Sequence, residues 1–142
     1  MSGHSLLHAV NIKADPAKVR DALTTLQGLK GWTAAEVSGG GGDVGSQWSL
    51  KYAGGPTFVW EITAHDAGKV VWKCVSGSGD SVGTTATFEL GKTADGRVHL
   101  KFAHGGWPHQ EGNFAKCNAL WGMMLHHLRA FVEQGKVAPA HS

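Results

Sequence analysis

Apolar residues recur at every second position through the middle of the chain and at helical spacing near its two ends. Trp48, Leu50 and Tyr52 alternate with Gln47, Ser49 and Lys51, and Phe58, Trp60 and Ile62 alternate with Val59, Glu61 and Thr63. After a turn from His65 to Gly68 the series resumes at Val70, Trp72 and Cys74. It continues at Ala86, Phe88 and Leu90 and, beyond Asp95-Gly96, at Val98, Leu100 and Phe102. A period of two sends alternate side chains to one face. From Thr33 onward the pattern therefore predicts antiparallel strands joined by glycine-containing turns, with one apolar face. The parity is least defined at Val70-Val71, where two apolar residues adjoin. Leu6 to Lys13 alternates loosely and predicts a further short strand.

The ends keep the longer period. Asp15-Pro16 supplies an N-cap and a proline at the first helical position. Val19, Ala22, Leu23 and Leu26 then predict a helix from Pro16 to about Leu26, with Gly28 and Gly31 interrupting the pattern after it and Trp32 just beyond the break. A long helix is predicted from about Asn113 to Gln134, ending at Gly135 with Pro139 beyond. Its apolar stripe is Phe114, Cys117, Trp121, Met124, Leu125, Leu128 and Val132, with Lys116, Met123, His126, Ala130 and Glu133 on the other side. A sheet with one apolar face and an amphipathic helix must cover each other, which predicts an α+β fold in a single domain over residues 1–142.

Composition sharpens this. Six tryptophans occur in a chain of net charge +2; each removes about 150 to 250 Å² from water when buried, and left outside they would form a large apolar patch. Most must line a core or a cavity. Thirteen basic and eleven acidic residues show no run of either sign, which argues against a nucleic-acid partner. No segment approaches 18 apolar residues, and MSGHSLLHAV at the start lacks a basic n-region, so the expectation is a cytoplasmic protein with no membrane partner. Two cysteines, Cys74 and Cys117, are too few for a disulfide framework and read as buried thiols.

The order of strand, helix with a Pro-x-x-Val start, strand meander and long last helix resembles the START-like, or Bet v 1-like (SRPBCC), helix-grip superfamily. Within it the chain is most similar to the branch of Hsp90 ATPase activator homologue and polyketide cyclase-like proteins. AVNIKADPAKVRDAL (9–23), TTATFEL (84–90), VHLKFAHGGW (98–107) and ALWGMMLHHLRAFVEQG (119–135) carry the likeness. Two positions depart from it: Arg20 follows Val19 where the family often has an aromatic, and the Gly-Trp opening of the last helix is reversed as Trp121-Gly122. The resemblance implies a curved antiparallel sheet wrapped around the C-terminal helix, one or two short helices near the N-terminus, and an apolar cavity between sheet and helix. Trp32, Trp48, Phe58, Trp60, Trp72, Phe88, Leu100, Phe102, His104, Trp107, Trp121, Met124 and Leu128 are the candidate ligand-binding residues. They either wall that cavity or fill one another's space.

Other motifs weigh less. GGGDVG (40–45) satisfies GxGxxG, but a strand-like segment comes after it where a dinucleotide loop needs a helix N-terminus. GSGDSVG (77–83) reads as a connection. His104, His109, Cys117, His126 and His127 could be assembled on paper, yet none of the usual zinc spacings is present, so no metal and no cofactor is expected. Cys117 lies on the apolar stripe and lacks the setting of an activated nucleophile. A histidine at a cavity mouth could serve as general base; His104 is the weak catalytic candidate, ahead of Glu61, which strand parity turns away. In AHGGWPHQEGN (103–113), Gly105 and Gly106 allow a sharp exit from the strand, and Trp107 either lids an apolar opening or plugs the end of the core. The leading expectation is a binding protein for a small apolar or aromatic ligand, monomeric or homodimeric through edge strands or Met123. The alternatives are a cyclase, lyase or isomerase using His104 and, from the resemblance, an Hsp90 co-chaperone-like interaction domain.

Overall fold

The computed structural model describes residues 4–33, 35–39, 43–51, 57–66, 68–77, 82–107 and 113–135, with the backbone alone at residue 4 and over 113–120. Its strands are β1 (His4–Ile12), β2 (Glu36–Gly39), β3 (Gln47–Lys51), β4 (Thr57–His65), β5 (Lys69–Ser76), β6 (Thr85–Lys92) and β7 (Val98–Trp107). The helices are α1 (Pro16–Thr24), α2 (Leu26–Trp32) and α3 (Asn113–Gln134). All seven strands form one antiparallel sheet in the order β1-β7-β6-β5-β4-β3-β2. The first strand thus pairs with the last, and the meander runs outward from there to β2.

The predicted parity holds. Trp48, Leu50, Trp60, Ile62, Val70, Trp72, Cys74, Ala86, Phe88, Val98, Leu100 and Phe102 are all buried, and at the ambiguous pair Val70 is the inward residue. Phe58 is half-buried against the rim of the core. Tyr52 lies outside the described residues.

Bulges bend the sheet around this face. Opposite Val59 and Trp60, β5 carries one extra residue, Val75; opposite Trp72 and Val71, β4 carries Thr63. At the far edge Leu6 and His4 pair with His104 and Trp107, so β7 fits three steps against two. Gly106, with φ of 90°, absorbs the difference. The strand therefore continues through Gly105-Gly106 where a sharp exit was expected. Because of the extra residue, both His104 and Trp107 face inward.

The N-terminal helices differ from the expectation of one helix and a glycine break. Asp15 caps α1, its carboxylate accepting from the Ala17 N–H at 2.8 Å, and Pro16 opens it. The helix stops at Thr25, whose backbone is extended, and Thr25 then caps α2 by accepting from the Gly28 N–H at 3.0 Å. Gly28 and Gly31 lie inside α2, and Trp32 is its last residue. A Cβ at Gly28 would stand 2.5 Å from the Ala22 Cα, and one at Gly31 would stand 2.3 Å from the Phe131 ring. The glycines allow α2 to approach α1 and α3 closely. That packing outweighs their poor helix propensity, about 1 kcal/mol each.

The last helix has the predicted bounds. Trp121, Met124, Leu125, Leu128 and Val132 are buried, while Met123 and His126 are exposed. The Phe114 and Cys117 side chains fall outside the described set. The whole is the predicted α+β helix-grip arrangement: a curved open sheet, two short helices, and a long helix lying on the concave face.

Candidate functional site

The concave face and α3 meet through aromatic rings. The Trp121 ring centroid lies 4.3 Å from Phe102, 6.0 Å from Phe88, 6.2 Å from Trp60, 6.4 Å from Trp72 and 6.3 Å from Trp32. Trp72 packs at 4.8 Å from Phe88 and 5.9 Å from Trp60, and Trp32 stacks on Trp72 at 6.1 Å. These are the offset and edge-to-face distances aromatic pairs favour. None of the six rings is more than 5% exposed. Leu100, Met124 and Leu128 are buried in the same core. The residues named from the sequence are thus gathered in one place, and in this arrangement they fill one another's space.

One polar group crosses this interior. His104 has no exposed surface, which corrects its expected place at a cavity mouth: the β7 bulge lies beyond it, and Trp107 packs over it at a centroid distance of 4.8 Å. The Trp121 Nε1–H donates to His104 Nδ1 at 2.9 Å. Indole nitrogen only donates, so Nδ1 must be the acceptor and the imidazole proton must sit on Nε2. That N–H faces the Thr84 Oγ1 at 2.7 Å. Protonation would place an Nδ1–H against the indole N–H. Burial pushes the His104 pKa down to about 4. With its lone pair already engaged, the ring is a hydrogen-bond relay from α3 to the start of β6 and is unsuited as it stands to accept a substrate proton. Glu61 points outward, accepting from the Gln47 Nε2 at 3.2 Å.

The tryptophans divide by hydrogen bonding. Trp32 donates to the Ala22 carbonyl at 2.7 Å, and Trp121 donates to His104. Trp48 Nε1 and Trp72 Nε1 are buried with no acceptor. Each such donor costs about 1–3 kcal/mol. Nothing in the sequence pattern marked this difference, nor Thr84 as the partner of His104.

A family model described as polyketide cyclase/dehydrase and lipid transport matches residues 4–133. The chain belongs to that family. Among solved structures it is similar to the Aha1 dimer from Colwellia psychrerythraea, studied in solution: 29% identity, 94% of this chain and 98% of that chain covered, TM-score 0.82. DynU16, from the dynemicin biosynthetic locus, is 18% identical with TM-score 0.76 over 94% of this chain and 48% of its own. Protein MLL2253 from Mesorhizobium loti is 17% identical with TM-score 0.79 over 94% and 100%. The last two are likenesses of fold. No curated protein matches the chain.

In this family member the remaining motifs settle into structural places. Asp43 to Gly45 form a turn into β3, with the Gly45 N–H donating to the Ile62 carbonyl at 2.7 Å, and residues 40–42 lie outside the described set. Trp107 is fully buried and packs over His104; Pro108 and His109 are not among the described residues. Cys74 is a buried thiol that donates to the Ser76 carbonyl at 3.4 Å. Among the described residues no three His, Cys, Asp or Glu side chains gather as a metal site, and no helix is long and apolar enough to cross a membrane. An open groove of about 460 Å³ lies apart from the aromatic interior, between α1, α2 and the end of α3, and is lined in part by Lys18, Asp21, Phe131 and Glu133.

Proposed function

We propose that this protein binds a small apolar or aromatic molecule between the sheet and α3, and that it holds its ligand without a cofactor. The observation carrying this is the ring interface around Trp121. Sheet and helix touch there through flat aromatic faces, so a planar ligand inserted between them offers the same offset contacts the rings now make with one another. Exchange of ring for ligand then keeps water out and loses little contact energy. Family membership supports the same reading, since its description joins lipid transport to cyclase chemistry. Engagement of both His104 nitrogens favours binding over proton transfer.

Titration with a panel of aromatic and aliphatic compounds, monitored by tryptophan fluorescence, tests the proposal. Saturable quenching at one ligand per chain is expected, together with a copurified small molecule in native mass spectra. A panel that produces neither overturns it. The buried thiol of Cys74 suits a reducing compartment, and we place the protein in the cytoplasm. It is taken as a monomer or homodimer, the latter because Aha1 is dimeric. A second reading, an interaction domain of the Hsp90-activator type, rests on the likeness to Aha1. Stimulation of Hsp90 ATPase activity would support it, and its absence would remove it.

A further inference from the structure

We infer that Trp48 and Trp72 select the ligand: their indole N–H groups take acceptor oxygens of a neutral, ring-bearing ketone, quinone or lactone, against hydrocarbons on one side and carboxylates on the other. This rests on the ligand-binding reading of the interior. Four indoles of the core have their N–H accounted for, two bonded and two without an acceptor, and the two without are both on strands of the concave face. Trp48 projects from β3 and Trp72 from β5, with β4 between them. Their strands are therefore about 9.5 Å apart, a span one tricyclic skeleton can bridge.

An indole has no acceptor function, so the complement of both sites is a lone pair. A hydrocarbon would occupy the space and leave both donors unsatisfied. A carboxylate would supply lone pairs but bring a charge that needs a cation. Among the described residues, the buried polar side chains are Thr24, Thr33, Thr84 and His104, and none carries positive charge at neutral pH. A neutral carbonyl avoids both penalties. Parting the rings to admit such a ligand also relieves two donors that the closed packing leaves without partners, so the closed form is predisposed to open for this class.

The test compares three molecules on one tricyclic skeleton: anthracene, 9,10-anthraquinone, whose two oxygens leave opposite edges, and anthracene-9-carboxylate, titrated calorimetrically into the full chain at neutral pH. The expected result is anthraquinone binding about tenfold or more tightly than anthracene, with the carboxylate weakest. The preference should shrink to about twofold in Trp48→Phe/Trp72→Phe. Indole proton NMR on the unaltered protein gives a second measure, independent of how that variant folds: anthraquinone should shift the Trp48 and Trp72 indole resonances downfield. Equal affinity for anthracene and anthraquinone overturns the selection while leaving the binding site standing. A preference that survives the double substitution, or shifts confined to Trp32 and Trp121, overturns the assignment to these residues. Failure of all three to bind, across the wider ligand panel as well, overturns the binding reading itself.

Discussion

Two pairs of tryptophans share one core and differ in what their nitrogens do. Trp32 and Trp121 stand on helices and have acceptors; Trp48 and Trp72 stand on strands and have none. The backbone explains part of this. A helix leaves its last carbonyls without intrahelical partners, and the acceptor used by Trp32 is such a carbonyl, that of Ala22 near the end of α1. Interior strands spend most of their carbonyls on their neighbours, and among the described residues none reaches the Trp48 or Trp72 nitrogen. Trp32 therefore ties α2 to α1 and Trp121 ties α3 to the sheet, while Trp48 and Trp72 line the interior with indole N–H groups that have no acceptor.

The largest effect is expected at Trp121. Trp121→Ala removes the ring at the centre of the cluster and strips His104 Nδ1 of its donor, and should cost about 4–5 kcal/mol in urea unfolding. A loss below about 2 kcal/mol would mean that α3 is not held through this ring.

His104 provides the next largest effect. Its folded pKa of about 4 lies below the ordinary 6.5, so between these values the unfolded chain takes a proton that the folded chain refuses. Stability should be unaffected by this group above pH 6.5 and fall by about 3 kcal/mol as pH drops to 4. Urea midpoints measured over that range for the wild type and His104→Phe should differ in slope. Parallel curves would show that the relay is not kept neutral.

Trp32→Phe and Trp72→Phe then make the same chemical change in the two classes. Both lose the same ring atoms, but only the first loses a hydrogen bond and leaves the Ala22 carbonyl unpaired. Trp32→Phe should be the more destabilising by about 1–3 kcal/mol. Equal costs would erase the distinction. The smallest effect is expected at Met123, on the outer side of α3, where replacement by Gln should change stability by less than about 0.5 kcal/mol.

Much of the fold was legible because side-chain parity and helical period depend on local geometry alone. The alternation of Val98, Leu100 and Phe102 already places His104 inside, and the Asn113–Gln134 stripe already names the face of α3 that is buried. What misled was glycine. At Gly28 and Gly31 it reads as a breaker, and only the positions of α1 and Phe131 show it serving close approach. At Gly105-Gly106 it reads as an exit, whereas the pairing of His4 with Trp107 shows a bulge that carries the strand onward. The site was legible as a set of rings but not as a network. The partners of His104 lie 20 and 17 residues away, at Thr84 and Trp121, and no local pattern encodes such a meeting. Nor can a sequence display a missing acceptor.

The pairing of β1 with β7 has a consequence for how the protein is made. On the ribosome His4–Ile12 emerges before the rest of the sheet, and its partner Val98–Trp107 arrives almost ninety positions later, with α3 later still. Until then a nascent chain carries an open strand edge and an uncovered greasy surface, conditions that invite aggregation and chaperone attention. Synthesis stalled before residue 98 should therefore yield a species that needs a holdase, and release of the finished chain should end that need.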